Sequence, residues 1–262
     1  MKNKRNMINY TEYDIINAIK APFSRIIVFD EIDSTNTYIK QNASGLDNRT
    51  LVFAKKQTGG RGRLGRNFIS PDGGLYFSIL LKNAYTQIDP AMITVSAAVA
   101  VSDAIKDICG IKCDIKWVND IYISGKKVCG ILAESASSDG MIFDYTVVGI
   151  GINLYTPSGG FSNEIKDIAT SLQSFGDVPS PSILAGRIYD NIINAISLSD
   201  HNKIINTYKE RSYVIGKNIN IIRGDSVVPA KAIDILDDAS LLVEYPDKRI
   251  EAIFSGDVSI RM

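Results

Sequence analysis

The sequence predicts an α/β fold of the α+β kind: a mixed, largely antiparallel central sheet with flanking helices, then a small all-β unit. Two observations predict it. Strand-like runs alternate with a few helical ones from Arg25 to about residue 211, and after Tyr213 only short strands remain, separated by Gly224-Asp225, Asp237-Asp238 and Pro246-Asp247. With 262 residues, 45% hydrophobic and 22% charged, the chain can bury one large core and a small appendage.

Before Arg25 there is room for one short helix, roughly Tyr10 to Ile19. The run Arg-Ile-Ile-Val-Phe-Asp-Glu-Ile over 25–32 reads as a buried strand, and Asp33-Ser34-Thr35-Asn36 supplies the polar caps that open a helix to about Gln41. Thr50 to Lys55 and Leu75 to Leu81 are further strands, the latter entered through the turn Pro71-Asp72-Gly73-Gly74. Asp89 and Pro90 start a long Ala- and Val-rich helix to about Ile108, apolar on most faces and therefore buried against the sheet. Short strands at Ile115 to Trp117 and Ile121 to Ile123 flank Asn119-Asp120. Ser124-Gly125 then turns a hairpin into Lys126 to Glu134, and Phe143 to Asn153 is a strand ending in a glycine-rich turn. Helices over about 181–197 and 200–211 follow. Strands at Lys217 to Ile222, Lys231 to Leu236, Leu241 to Tyr245 and Arg249 to Phe254 give the pattern of a small barrel.

One loop carries most of the chemistry. Gln57-Thr58-Gly59-Gly60-Arg61-Gly62-Arg63-Leu64-Gly65-Arg66 interleaves glycines with guanidinium groups directly after a strand, which makes an anion cradle of exposed N–H groups and arginine forks. It lacks the Gly-Lys-Ser/Thr ending of the Walker loop and is not the dinucleotide fingerprint. Lys plus Arg equals Asp plus Glu at 29 each, so no overall field draws the chain to nucleic acid or an anionic membrane, and the basic loop is a local site. A nucleic-acid-binding module is the competing reading of such a loop, but no second basic stripe accompanies it. The single histidine, His201, lies in a polar stretch that reads as a loop, which removes Ser-His-Asp and Cys-His nucleophiles and the usual zinc hydrolases. Cys109, Cys113 and Cys129 read as reduced, core-filling thiols. No apolar run approaches the ~20 residues of a membrane span. The start Met1-Lys2-Asn3-Lys4-Arg5 lacks a secretion signal, so a cytoplasmic location is expected.

With the cradle stand four further segments: Ser34-Thr35-Asn36, Lys116-Trp117-Val118-Asn119-Asp120, Lys126 to Glu134, and Val148-Gly149-Ile150-Gly151-Ile152-Asn153. In this order and spacing the chain resembles the biotin–protein ligases from about Arg25 to its end. The resemblance implies a mixed sheet of the class II synthetase-like biotin and lipoyl ligases, with an SH3-like C-terminal barrel. The implied domains are a short extension over 1–24, a catalytic domain over 25–211 and the barrel over 212–262. It also implies a form without the N-terminal DNA-binding domain that some relatives carry, hence no sequence-specific DNA partner and no membrane partner.

The reaction implied joins biotin to ATP as biotinyl-5′-AMP, releases pyrophosphate, and transfers biotin to one lysine of a biotin carboxyl carrier domain. A lipoate or octanoate ligase or transferase is the alternative. The implied biotin-binding set is Ser34, Thr35, Asn36, Gln57, Gly60, Arg61, Gly62, Arg63, Lys127 and Gly130, although helix capping alone would account for Ser34 or Thr35. The implied ATP and adenylate set is Arg61, Arg63, Phe68, Lys116, Asn119, Asp120 and Asn153. Lys127 and Arg63 are the implied catalytic pair. Asp120 either holds Mg²⁺ on the phosphates or is a structural turn residue. Adjacent strand residues face opposite sides, so one of Lys126 and Lys127 points inward; the motif selects Lys127. Three departures stand out: Val118 for the usual proline, Leu64 where many relatives are polar, and Phe68 for a frequent tryptophan. Oligomeric state stays open, a homodimer included.

Overall fold

The computed structural model describes residues 8–138, 142–197, 201–224 and 226–260. Asp225 in a predicted turn, residue 200 in a predicted helix and the charged start Met1 to Arg5 lie outside the described residues. In chain order the elements are α1 (Glu12–Ala18), β1 (Arg25–Ile32), α2 (Thr35–Asn42), β2 (Thr50–Gln57), β3 (Gly74–Leu81), α3 (Pro90–Cys109), β4 (Asp114–Lys116), β5 (Asp120–Ile123), β6 (Lys126–Ala136) and β7 (Tyr145–Asn153). They continue with α4 (Pro181–Ser197), α5 (His201–Glu210), β8 (Asn218–Arg223), β9 (Ser226–Ile235), β10 (Leu241–Glu244), β11 (Ile250–Ile253) and β12 (Asp257–Ile260).

The first sheet has seven strands in the order β1-β2-β3-β7-β6-β5-β4, with β1 and β2 parallel and every other pair antiparallel. This is the mixed, largely antiparallel sheet that the sequence predicts. Strand β3 is buried along its whole length, as its continuous apolar run requires. Strand β1 differs from expectation: it lies at the sheet edge, and only Ile26 is fully buried, because a parallel edge strand with few neighbours leaves Asp30 and Glu31 to solvent.

Helix α3 covers one face. Asp89 caps it by accepting from Ala91 N at 2.7 Å, Pro90 occupies the first turn, and Gly110 closes it in the left-handed region at φ 69°. Helix α1 packs on α4 at Gly186, where a Cβ would stand 2.4 Å from the Ala18 carbonyl oxygen. Asp190 of α4 then accepts from Lys20 N at 3.0 Å and Ala21 N at 2.8 Å, tying the segment before β1 to the core.

The second sheet is antiparallel, ordered β11-β10-β9-β8-β12. Its β12 is a strand that the sequence reading did not single out, and His201 opens α5 instead of sitting in a loop. The two sheets meet at Trp117, whose buried indole donates from Nε1 to the Ala239 carbonyl at 2.9 Å. Trp117 is thus a core residue, and its polar edge finds the partner that a buried indole requires. Among the described residues no helix is long and apolar enough to cross a membrane.

Trp117→Phe would keep an aromatic ring but leave the Ala239 carbonyl buried without its donor. The unfolding free energy should fall by about 1 to 3 kcal/mol, read as a lower urea midpoint at unchanged slope. An unaltered midpoint would refute this role.

Candidate active site

The cleft is built where four elements end. Helix α2 begins at Ser34, whose Oγ accepts from Thr37 N at 3.4 Å, so Thr35 and Asn36 in the first turn lie over the sheet. Asn36 fits there only because β7 has Gly149: a Cβ at that position would stand 2.2 Å from Asn36 Oδ1. Strand β2 delivers Gln57, whose Oε1 accepts from Thr35 N at 2.9 Å.

The cradle leaves β2 as a tight, backbone-bonded turn. Gly62 N donates to the Arg66 carbonyl at 2.8 Å and Phe68 N to the Gly60 carbonyl at 2.9 Å, with Leu64 and Gly65 at φ 54° and 74° at the tip. Gly60 lines neither cavity of the cleft. Its missing side chain makes room for the loop itself, since a Cβ would stand 2.4 Å from the Phe68 carbonyl oxygen. Returning from the tip, the Phe68 ring lies across Gly130 of β6 and Gly151 of β7; added Cβ atoms would come within 2.9 and 2.3 Å of it. Gly151, which also lines the cleft, thus makes room for the Phe68 ring.

The Lys-Trp-Val-Asn-Asp turn is clamped from three sides. Trp117 is held by Ala239, the Val118 carbonyl accepts from buried Tyr208 Oη at 2.9 Å, and Asn119 Nδ2 donates to the Ile131 carbonyl at 2.5 Å. These contacts fix the turn although valine stands where proline is usual. They also leave Asp120 facing the cleft, where its Oδ1 is 2.7 Å from Lys127 Nζ. That oxygen is fully buried and has no directed hydrogen bond, so its tie to Lys127 is one of charge. Lys127 is half-buried, whereas Lys126 is exposed, as the strand alternation predicts.

Two adjoining cavities result. The first, about 820 Å³ and partly open to solvent, is lined by Ser34, Thr35, Asn36, Gln57, Arg61, Gly62, Arg63, Asn119 and Gly130 among others. The second, about 890 Å³, is lined by Lys116, Asn153, Tyr122, Ile165, Ile168 and Ala169 among others. Phe68, Asp120 and Lys127 line both and stand between them. Every sequence-predicted site residue except Gly60 therefore reaches one of these cavities. Asn153 Nδ2 already donates to the Thr170 carbonyl at 3.0 Å, which orients its amide.

Electrostatically the first cavity is unsaturated. Arg66 is paired with Asp257 of β12, but Arg61 and Arg63 have no ion-pair partner among the described residues. Burial lowers the Arg63 pKa from its ordinary value, opposed by Asp257 and Asp120. A half-buried cation without a counter-ion is a ready anion site. Cys129, beneath the cleft, is inert: burial pushes its thiol far up, and among the described residues no cluster of His, Cys, Asp and Glu could hold a metal by itself.

Sequence reasoning missed Asp257, Ser78, Glu134 and the segment Ile165 to Ala169. Asp257 comes from the other sheet, and nothing local announces it. Ser78 did leave a signal, as the one hydroxyl in the fully buried interior run Leu75 to Leu81 apart from the Tyr76 phenol.

The sequence matches the biotin/lipoate A/B protein ligase family over residues 28–153 and the biotin protein ligase C terminal domain over 214–261. It is 33% identical over 241 residues to the bifunctional ligase/repressor BirA of Bacillus spizizenii, covering 90% of this chain and 74% of that one. It is 27% identical over 245 residues to the biotin–[acetyl-CoA-carboxylase] ligase of Mycobacterium tuberculosis, covering 88% and 87%. Its fold is similar to that of the Aquifex aeolicus biotin protein ligase in complex with biotin and ATP, with a TM-score of 0.78 and 29% identity over 91% of this chain and 99% of the other.

The Arg66–Asp257 pair joins the cradle to the second sheet, with the arginine side chain 60% exposed. Such a pair contributes at most about 1 kcal/mol, so Arg66→Ala or Asp257→Ala should speed amide exchange across residues 61–67 by no more than about fivefold. The double variant should add nothing to either. Additive effects in mass-detected exchange would show that the two side chains act separately.

Proposed function

This chain belongs to the biotin/lipoate A/B protein ligase family, and from that premise we propose how its two cavities divide one reaction. The chain is an ATP-dependent biotin–protein ligase. The first cavity takes biotin, with the polar ring at Thr35 and Gln57 and the carboxylate directed to Arg61, Arg63 and Lys127. The second takes the adenosine, with Asn153 and Lys116 on its wall and Phe68 beside it. The observation that carries this reading is the shared wall: Lys127 stands where a carboxylate entering from one side meets an α-phosphate held on the other.

A carboxylate oxygen there attacks the α-phosphorus, the bond to the bridging oxygen breaks, and pyrophosphate leaves with the electron pair. Both reactants are anionic, so the barrier is dominated by repulsion, and aligned cations lower it without any protein nucleophile. Arg61 and Arg63 hold the reacting oxygens, and Lys127, drawn from Asp120, shares its charge with the developing acyl phosphate. In the second step the ε-amine of a lysine on a biotin carboxyl carrier domain attacks the acyl carbon, and AMP leaves.

Mg²⁺ fits as an ion that arrives with ATP. Asp120 offers one buried oxygen without a directed hydrogen bond, which suits a cation that keeps phosphate and water as its remaining ligands. When bound, such an ion neutralises phosphate charge. Lipoate and octanoate lack a ring that would use the hydrogen-bonding groups at Thr35 and Gln57, and the match to a biotin protein ligase C terminal domain also favours biotin.

Incubation with biotin, ATP, Mg²⁺ and a carrier domain should add one biotinyl group to the carrier by mass, and lipoate should not substitute. Lys127→Ala should slow biotin-dependent pyrophosphate release by roughly 10² to 10³, the usual effect of removing one preorganised charge donor. Lys126→Ala, on the solvent side, should stay within a few fold. A loss below tenfold at Lys127, or the greater loss at Lys126, would mean that the assigned role is wrong.

A further inference from the structure

The polar end of the first cavity is backed by a hydrogen-bond chain in which every direction is determined. It starts near the surface, where Glu134 Oε1 pairs with Lys40 Nζ at 2.6 Å. An ionised carboxylate only accepts, so Asn36, 2.8 Å from Glu134 Oε2, must turn its NH₂ there, where it also meets the Leu132 carbonyl at 3.3 Å. Asn36 Oδ1 therefore faces Ser78 Oγ at 2.6 Å, and a carbonyl there makes Ser78 the donor. Ser78 has one proton. At 2.6 Å from Thr35 Oγ1 it can then only accept, and Thr35 donates.

The second partner within reach of the Thr35 hydroxyl leads to the same result. Gln57 Oε1, 3.2 Å away, is also an acceptor. Its orientation is fixed because Ser70 gives its proton to the Phe68 carbonyl at 2.9 Å and so receives the Gln57 NH₂ at 3.0 Å. Whichever way the hydroxyl turns within the protein, its proton is used there and its lone pairs face the cavity.

We propose that Glu134, Asn36 and Ser78 are positioning residues that make Thr35 an obligate hydrogen-bond acceptor. This end of the cavity then selects a ring presenting N–H at that point, as a cyclic urea does, over a ring presenting oxygen. The proposal rests on the biotin reading above and extends it: selectivity for the head group is set by side chains behind the one that touches it. Ser78 is fully buried and neither it nor the half-buried Glu134 is among the residues lining the first cavity, so neither needs to contact the ligand.

The test is calorimetric titration of the full chain with biotin and with two analogues, each carrying a ring oxygen in place of one ureido N–H. Wild type should bind at least one analogue about 10- to 100-fold more weakly than biotin, since its acceptor would face another acceptor. Ser78→Ala leaves the Thr35 proton only the longer contact to Gln57 Oε1, which it can give up for a ligand oxygen, so this ratio should shrink to about a third or less, with affinity for ATP unchanged. If Ser78→Ala does not fold, Glu134→Gln serves in its place. It puts an amide beside Lys40, frees Asn36 to turn over and should shrink the same ratio. An undiminished ratio in a folded variant, or equal binding of biotin and both analogues by wild type, overturns the proposal. Failure of wild type to bind biotin at all would instead remove the function on which it rests.

Discussion

Repulsion between two anions is the constraint around which the reaction proposed for this cleft is organised. A carboxylate and a triphosphate approach each other only where positive charge is in place beforehand, and this chain keeps that charge available instead of spending it on internal pairs. Arg66 is committed to Asp257, whereas Arg61 and Arg63 are left without counter-ions among the described residues, Arg63 at some cost from burial. Lys127 is the intermediate case, held 2.7 Å from a carboxylate that itself lacks a directed hydrogen bond. A pair with one loosely satisfied member can be shared with an incoming anion more readily than a fully bonded one.

That arrangement explains which parts of the molecule were legible in the sequence. The cradle could be read directly from its alternation of glycine and arginine, and strand alternation put one of Lys126 and Lys127 inward, with the motif selecting Lys127. Helix α3 was equally plain, from Asp89 and Pro90 to its apolar surface. What could not be read lay in contacts between distant segments. Gly149 and Gly151 make room for Asn36 and Phe68, neighbours that lie more than 80 residues away in the chain. The edge position of β1 was hidden for a related reason: a run of apolar residues does not say how many strands will cover it.

The second sheet contributes more than an appendage would. Ala239 receives the indole of the central motif, Asp257 holds the cradle, and Lys209 of α5 pairs with Asp234 of β9 at 3.2 Å. The residues that bracket Asp120 are therefore supported by a part of the chain that follows them in sequence. Neither sheet presents a complete cleft by itself, and directed bonds from an indole and a guanidinium join them on top of one continuous apolar core.

The Phe68 ring, wedged between Gly130 and Gly151, behaves as a partition. Its size and the absence of side chains on both neighbouring strands form one matched set, so no member can change alone: a bulkier ring needs the strands to move, and a methyl on either strand evicts the ring. A smaller residue at 68 would merge the two compartments into a single trench. For anyone reshaping this protein to take longer or branched acyl groups, position 68 is therefore the gatepost, and the glycines set how far it can be moved.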